Sequence, residues 1–249
     1  VLHSGKRRNE FDLILEGINQ MAEELGNVET LQTDFISNVS HELKTPLAVI
    51  QNYASVLGSR GLEEEQRKEY TVTIVDTARR LSGLVTNILR LNRLENQEIY
   101  PKAQKYPLGE QLRCCILAFE EKWEEKELEV EADIEDLDLF GDEELLEIVW
   151  NNLISNAIKF TGQGGTIRVS LHPSDDFAVV QVADTGCGMD EKTGQHIFDK
   201  FYQGDTSHAQ EGNGLGLAMV RRVVDIVQGD ISVESRLGKG TVFTVRIRL

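Results

Sequence analysis

The chain has 249 residues, of which 40% are hydrophobic, and it carries a formal net charge of −16 at pH 7. This length suits two modest domains with buried cores, and the acidity argues against nucleic acid as a main partner. The three cysteines have neither the spacing of a disulfide framework nor that of a zinc site, so a reducing cytosol is the expected compartment. No run approaches the roughly 18 apolar residues of a membrane span, and no signal peptide pattern opens the sequence.

The first hundred residues have the heptad pattern of two long helices. Apolar residues alternate at spacings of 3 and 4 over Phe11–Val28, which indicates the a/d seam of a coiled coil, and the phase then changes. Gly58–Gly61 predicts a loop, and a second seam follows over Tyr70–Leu91. Because a lone helical hairpin cannot cover both seams, the pattern predicts two hairpins paired in a dimeric four-helix bundle.

The first of these helices contains the run Ser40–Leu47, with the sequence S-H-E-L-K-T-P-L. The imidazole of His41 is nucleophilic near pH 7, and Thr45 lies one turn further along the same helix face. Pro46 has no N–H, so the helix loses its bond to the carbonyl of Glu42, and a kink is expected there. A single histidine on a helix is more often structural or solvated, so this run does not by itself indicate a function.

A polar stretch over Asn96–Pro107 holds two of the four prolines and predicts a linker, beyond which the pattern becomes mixed α and β. The elements predicted after it are helices at Leu108–Trp123, Glu143–Phe160 and Gly214–Val227, and strands at Leu128–Ile134, Leu137–Phe140, Thr166–Leu171, Phe177–Ala183, Asp230–Glu234 and Thr241–Leu249. Helices combined with antiparallel strands predict an α/β sandwich with the helices on one face of the sheet.

Polar residues form a stripe on the otherwise apolar helix Glu143–Phe160. Asn152, Asn156 and Lys159 recur at i, i+4 and i+7, which places them on one face. Amide oxygens can ligate a hard divalent ion, and a lysine adds positive charge for phosphates. A merely solvated helix face would show the same polar residues, but the apolar flanking residues disfavour it.

Three glycine motifs follow this helix. Asp184–Gly188 places a carboxylate at a strand end before two glycines, an arrangement that can hold the amino group of a ligand. Gly212–Leu217 opens a predicted helix, where backbone N–H groups and the helix dipole suit a phosphate chain. Gly238–Thr241 is consistent with a simple hairpin turn. Each motif alone is weak, whereas their order and spacing together are specific.

Residues 34–249 resemble the catalytic core of two-component sensor histidine kinases. The matching motifs are the phosphoacceptor box Ser40–Leu47, the N box Asn152–Phe160, the G1 box Asp184–Gly188, the F box Phe198–Tyr202 and the G2 box Gly212–Leu217. Residues 10–25 resemble, more loosely, the second helix of a HAMP signalling domain. The resemblance implies a HAMP-like segment at 1–30, a dimerisation and histidine phosphotransfer domain at 31–97, a linker at 98–107 and a Bergerat-fold ATP-binding domain at 108–249.

The resemblance also implies residue roles. His41 is the phosphorylated residue, Glu42 orients or deprotonates its imidazole, and Thr45 orients water when the partner regulator is dephosphorylated. Asn156 is the Mg²⁺ ligand, with Asn152 alongside it. The further residues expected to contact ATP are Lys159 and Phe160, Asp184 at the adenine amino group, Gly186 and Gly188 beneath the base, Tyr202, Gly212, Gly214, Leu215, Gly216 and Thr241. Residues 190–212 form the expected lid.

The function implied is autophosphorylation of His41 from Mg-ATP and transfer of the phosphoryl group to an aspartate of a response regulator receiver domain, with phosphatase activity towards that regulator. The chain is expected to form a homodimer, to bind no nucleic acid, and to be the cytoplasmic portion of a sensor anchored by a membrane segment absent from this sequence. Related ATP-hydrolysing enzymes of the same fold have a glutamate where this chain has Asn152, and an amide cannot act as a base. A binding-only scaffold and a serine-directed kinase are two further functions that the same fold could serve.

Two positions depart from the family pattern. A basic residue often follows the F-box tyrosine, but here that position is Gln203. Either Arg221, Arg222 or Lys200 replaces it at the phosphates, or phosphoryl transfer is slower. Cys187 lies between the G1 glycines, where aliphatic residues are more usual, and a packing role is favoured there over redox sensing.

Overall fold

A computed structural model describes residues 10–58, 62–96, 101–204 and 212–249, with the side chains of residues 10–32 and 34 excepted. Two compact units make up the chain, the first ending at Ser82 and the second beginning at Gly83. Most of the predicted loop at Gly58–Gly61, part of the predicted linker and residues 205–211 near the end of the predicted lid lie outside the described residues.

Two long helices form the predicted helical hairpin. They are α1 (Glu10–Leu57) and α2 (Glu64–Asn96), and the rings of Tyr53 and Tyr70 join them with centroids 5.0 Å apart. Helix α1 continues through Pro46, so the lost hydrogen bond does not end it. The boundary between the two compact units falls within α2 rather than in the predicted linker.

Besides the last part of α2, the second unit contains a five-stranded sheet, a two-stranded sheet and five helices among the residues described. The strands are β1 (Gln104–Pro107), β2 (Glu129–Ile134), β3 (Asp138–Gly141), β4 (Thr166–Ser174), β5 (Phe177–Asp184), β6 (Asp230–Arg236) and β7 (Gly240–Arg248). The helices are α3 (Leu108–Leu117), α4 (Glu120–Glu125), α5 (Glu143–Phe160), α6 (Glu191–His196) and α7 (Gly216–Ile226). The larger sheet has the order β2-β4-β5-β7-β6, and β1 pairs with β3.

The helical hairpin followed by an α/β domain confirms the predicted fold class, while several details differ. Strands β2 and β4 are parallel, because the chain between them passes through α5 as a crossover; the other pairs are antiparallel. The end of the predicted linker is strand β1, in which Tyr106 is buried. The single helix predicted over Leu108–Trp123 is divided at Ala118–Phe119 into α3 and α4, and α6 was not predicted.

The core lies between the larger sheet and helices α3, α5 and α7. Helix α5 is central, since it packs against both other helices and against β5. Its largest buried side chain is Trp150, whose indole Nε1 donates to Oε1 of Gln111 on α3 at 3.0 Å. Burial of a side chain of this size is worth a few kcal/mol, and the hydrogen bond removes the cost of an unpaired indole N–H. The core therefore fixes the helix that carries the polar stripe.

Candidate functional site

Helix α5 begins at a side-chain cap and presents the predicted polar stripe. Asp142 accepts a hydrogen bond from the Leu145 N–H at 3.0 Å, and its other carboxylate oxygen accepts from the Lys102 N–H at 2.8 Å. Asn152, Asn156 and Lys159 are half-buried, while the residues between them are largely buried in the core. The stripe is thus held on a rigid element, as the sequence pattern predicted.

Two members of the stripe lie against the glycine motif that precedes and begins α7. The Asn152 side chain donates to the Ile148 carbonyl at 2.7 Å, which leaves its Oδ1 facing Gly216. A Cβ at Gly216 would lie 2.6 Å from that oxygen, and a Cβ at Gly212 would lie 2.7 Å from Nζ of Lys159. The close approach at Gly216 leaves no room for a side chain unless Asn152 moves, whereas at Gly212 the flexible lysine side chain could yield.

Lys159 is a cation in a partly buried setting. Its ammonium lies 4.4 Å from the centroid of the Phe160 ring, and burial lowers its pKa from the usual value. Its closeness to Gly212 places positive charge at the glycine motif, where a phosphate chain would be stabilised.

Asp184 is the carboxylate at the end of β5. It accepts a hydrogen bond from the Gly186 N–H at 2.8 Å and another from the backbone N–H of Thr241. Burial raises the pKa of this carboxyl, and the two backbone hydrogen bonds oppose that rise. A carboxylate has further acceptor capacity, so Asp184 can also bind a ligand N–H.

The G1 glycines are required by close backbone contacts. Gly188 has φ +62°, and a Cβ at Gly186 would meet the Phe160 carbonyl at the end of α5. The Gly238 N–H donates to the Cys187 carbonyl at 2.6 Å, which joins the β6–β7 turn to this loop. The third glycine motif, Gly238–Thr241, thus lies beside the G1 loop, although its sequence is equally consistent with a simple hairpin.

The segment before α7 is joined to the F box. Gly214 has φ +63°, and its carbonyl accepts a hydrogen bond from the Phe201 N–H at 2.9 Å. Leu215 is fully buried, and no side chain among the described residues caps the N-terminus of α7. Tyr202 is half-buried, with its ring centroid 5.4 Å from that of His196. The first N–H groups of α7 are suited to an anion.

The cations considered as replacements at Gln203 have other partners. Arg221 pairs with Asp225 at 3.1 Å, Arg222 donates to the Leu94 carbonyl at 2.8 Å, and Lys200 pairs with Glu95 at 2.6 Å. The Gln203 side chain itself donates to the Gly212 carbonyl at 3.0 Å. Lys159 is a further source of positive charge beside this motif, because its ammonium lies next to Gly212.

The candidate phosphoacceptor belongs to the first unit, whereas the residues described above belong to the second. His41 and Thr45 are exposed on α1, and Glu42 is half-buried. The Thr45 hydroxyl donates to the His41 carbonyl at 3.3 Å, one helical turn earlier. The structure therefore places His41, Glu42 and Thr45 on one accessible helix segment.

The residues present can accommodate a divalent ion if the nucleotide supplies ligands. Within the described part of the chain, no cluster of three His, Cys, Asp or Glu side chains is arranged to hold a metal. The half-buried amide of Asn156 supplies a hard oxygen, and Mg²⁺ commonly takes few protein ligands together with substrate phosphates. Lys126, which no sequence motif singles out, also contacts this region, because its ammonium reaches the end of α5.

Comparisons with known proteins match both parts of the chain. A family model for the His Kinase A (phospho-acceptor) domain matches residues 31–97. A model for the histidine kinase-, DNA gyrase B- and HSP90-like ATPase matches residues 141–249. The heme sensor protein HssS of Staphylococcus saprophyticus is 30% identical over 242 residues, which is 97% of this chain and 52% of that protein. The chain thus spans about half the length of the curated relatives it matches.

Solved structures share the fold. Full-length ShkA in complex with AMPPNP aligns with a TM-score of 0.65 and 29% identity, covering 88% of this chain and 45% of that one. Histidine kinase ThkA in complex with the response regulator protein TrrA aligns with a TM-score of 0.75 and 24% identity, covering 97% of this chain and 68% of that one. Among the residues described, none of the helices combines the length and apolar character needed to cross a bilayer.

Proposed function

Because the chain belongs to the family of two-component sensor histidine kinases, we propose that it phosphorylates itself on His41 from Mg-ATP and passes the phosphoryl group to an aspartate of a response regulator. The observation that carries this proposal is the convergence of Asn152, Lys159 and Asp184 with three glycine motifs in one compact unit. The phosphoacceptor model at residues 31–97 and the ATPase model at residues 141–249 support a dimerisation and phosphotransfer domain at 31–97 and an ATP-binding domain within 108–249. A HAMP-like segment at 1–30 and a linker at 98–107, whose end forms strand β1, complete the proposed organisation.

The nucleotide is proposed to lie between α5, the G1 loop and the start of α7. Asp184 accepts a hydrogen bond from the adenine amino group, and Gly186 and Gly188 allow the base to approach the backbone. Lys159 and the N–H groups at the start of α7 bind phosphate oxygens. The remaining contacts proposed for the nucleotide are Asn152, Phe160, Tyr202, Gly212, Gly214, Leu215, Gly216 and Thr241.

Asn156 is proposed to hold Mg²⁺ through its amide oxygen. When bound, the ion neutralises phosphate charge and orients the terminal phosphoryl group. Asn152 lies where related hydrolases have a glutamate, and its amide cannot deprotonate water. The terminal phosphoryl group is therefore preserved for a histidine acceptor instead of being lost to hydrolysis.

In the proposed reaction, a ring nitrogen of His41 attacks the γ-phosphorus of ATP. The new N–P bond forms as the bond between that phosphorus and the bridging oxygen of ADP breaks. Glu42, the next residue along the helix, accepts the imidazole proton. In the second step, a carboxylate oxygen of the regulator's aspartate attacks the phosphorus and the N–P bond breaks. Thr45 is proposed to act in the phosphatase reaction, in which it orients the water molecule that hydrolyses the regulator's acyl phosphate.

A homodimer is proposed as the assembly that performs these steps. The hairpin of α1 and α2 leaves large apolar side chains exposed, including Ile36, Leu47, Val72 and Val75. Exposed apolar side chains on a helical hairpin are expected to be covered by a second hairpin. The family also suggests a receiver domain as the other partner, in keeping with the ThkA structure, which contains a response regulator protein. Attachment to the cell membrane through a segment outside this sequence belongs to the same proposal.

Incubation with γ-labelled ATP and Mg²⁺ tests the proposed function. We expect label that is labile in acid and stable in alkali, which is lost in His41→Gln, and that moves to a receiver domain on addition of the cognate regulator. Release of free phosphate without labelled protein would indicate a hydrolase instead. Acid-stable label would indicate a serine or threonine acceptor, and nucleotide binding without either product would indicate a binding scaffold.

A further inference from the structure

The last turn of α5 is the junction between the N box and the G1 loop. It carries Lys159 and Phe160, and the Phe160 carbonyl accepts a hydrogen bond from the Cys187 N–H at 3.3 Å. A helix end leaves its last four carbonyls without partners inside the helix. How these carbonyls are satisfied therefore decides how firmly the nucleotide residues are held.

A single side chain from outside the helix bonds to two of these carbonyls and to the carbonyl of Thr161, the residue that follows the helix. Nζ of Lys126 donates to the carbonyls of Ile158 at 2.8 Å, Lys159 at 2.9 Å and Thr161 at 3.1 Å. An ammonium group has three N–H donors, so these three bonds use its full capacity. The positive charge also lies at the negative end of the helix dipole, which adds to the stabilisation.

The backbone around Lys126 is itself fixed. Its carbonyl accepts a hydrogen bond from the Gly164 N–H at 3.1 Å, and the next residue, Glu127, has φ +52°. The Glu127 carboxylate accepts a hydrogen bond from the Gln163 side chain at 3.1 Å. Lys126 is half-buried between α4 and β2, so the ammonium is presented from a defined turn and not from a freely moving side chain.

We propose that Lys126 is a positioning residue for ATP, which acts by holding the last turn of α5 so that Lys159 and the Phe160 carbonyl keep their places. This inference rests on the proposed function, because it assigns to Lys126 an effect on nucleotide binding by the same site. Lys126 bonds to backbone carbonyls at the C-terminal end of α5. Its proposed role is to order the groups of α5 that contact the nucleotide.

Lys126→Met removes the three donors and the charge while keeping a side chain of similar length. We expect the dissociation constant for ATP, measured by calorimetry with Mg²⁺, to rise about tenfold, the change that corresponds to about 1.4 kcal/mol. The KM for ATP in autophosphorylation should rise by a similar factor, with kcat within about threefold of the unmodified protein, because the acceptor chemistry lies in the first unit. Lys126→Arg keeps the charge and should recover part of the affinity.

Two control variants separate positioning from a general loss of stability. Lys122→Met removes an exposed lysine of α4 whose ammonium lies over the Phe119 ring, and it should leave ATP affinity unchanged. Gln163→Ala breaks the bond to Glu127 in the same turn and should lower the unfolding midpoint slightly without changing ATP affinity. Amide hydrogen exchange should accelerate over residues 158–161 in Lys126→Met and in neither control variant.

The inference is overturned if Lys126→Met binds ATP as tightly as the unmodified protein, or if exchange over residues 158–161 is unchanged. It is also overturned if Gln163→Ala weakens ATP binding as much as Lys126→Met does under conditions in which the two variants have lost the same free energy of unfolding. These results differ from failure of the proposed function, in which the unmodified protein itself would fail to bind ATP or to label His41.

Discussion

The phosphoacceptor segment of α1 and the nucleotide region of the second unit are built in contrasting ways. His41 and Thr45 are exposed, and the hydroxyl of Thr45 bonds within its own helix. Asn152, Lys159 and Asp184 are partly buried and lie against glycines from distant parts of the chain. The first region is accessible and locally determined, whereas the second is assembled by long-range packing.

This difference corresponds to what each region is proposed to do. A binding site for one nucleotide gains affinity when its groups are held in place before the ligand arrives. An acceptor histidine that must meet ATP and then a regulator's carboxylate needs access from more than one side. Substitutions in the two regions should therefore separate chemistry from binding.

The largest expected effect comes from His41→Gln, which removes the nucleophile. Autophosphorylation should fall below detection, while the dissociation constant for Mg-ATP stays within about twofold, because His41 lies in the other unit. Phosphotransfer assays and calorimetry measure the two quantities on one preparation. A comparable loss of ATP affinity would mean that the two regions are not independent.

The next effect in size is expected for Glu42→Gln. A glutamine cannot accept the imidazole proton, so the rate of autophosphorylation should fall about 10²- to 10⁴-fold. Affinity for ATP should be unchanged, and single-turnover labelling at saturating ATP measures the rate. Glu42→Asp, which keeps the carboxylate, should recover part of the activity. A normal rate in Glu42→Gln would remove Glu42 from the proposed mechanism.

Gly216→Ala tests the packed region. The new Cβ would lie 2.6 Å from Oδ1 of Asn152, whose amide is already held by the Ile148 carbonyl, so Asn152 must move. A displacement of this kind is expected to cost about 10²-fold in autophosphorylation efficiency. Gly194→Ala is the matched control, because no described atom lies within 4 Å of its Cβ position. Equal activity in both variants would contradict the close-packed description.

The smallest effect concerns a residue outside both regions. His172 on β4 contacts Glu135 and Asp133, and its pKa is raised, chiefly by the hydrogen bond to Glu135. Because the pKa of His172 is higher in the folded than in the unfolded state, its protonation stabilises the fold. This stabilisation is fully present below about pH 6.5, the ordinary pKa of histidine, and is lost as the pH rises through the pKa of the folded state. The urea midpoint should therefore fall slightly between about pH 6 and pH 8.

The matched variant is His172→Gln, in which this dependence on pH should largely disappear. Affinity for ATP should not change, because the carboxylates that contact His172 lie on and just after β2, the strand at one edge of the larger sheet. A urea midpoint with the same pH dependence in both proteins would show that the ion pairs are too well solvated to matter.

Local sequence patterns predicted the elements that are determined by periodicity and capping. Helix α5 has the predicted bounds Glu143–Phe160, because Asp142 caps it and its apolar residues repeat at helical spacing. The stripe of Asn152, Asn156 and Lys159 follows from the same geometry. The order and spacing of the glycine motifs identified them as a group, but the contact between Gly216 and Asn152 could not be predicted from the sequence.

Features that depend on long-range contact could not be predicted in this way. The sequence of strand β1 is polar and lies in a proline-containing stretch, so it has no strand pattern of its own. The strand forms because its four residues pair with β3. The parallel pairing of β2 with β4 is decided by how the chain packs over α5, which no local window contains. Lys126 is one of several lysines near an acidic helix, and nothing in its neighbours distinguishes it as the partner of three carbonyls.

The end of α2 has a consequence for protein engineering. The second unit begins at Gly83, and the Leu94 carbonyl and Glu95 carboxylate bond to Arg222 and Lys200 within that unit. A chimaera that joins a foreign helical hairpin to this chain near position 97 would remove the Glu95 carboxylate and would have to supply another backbone carbonyl for Arg222. A junction placed before Gly83, in heptad register, keeps the whole unit, so the modular boundary for exchanging input segments lies inside a helix and not at its end.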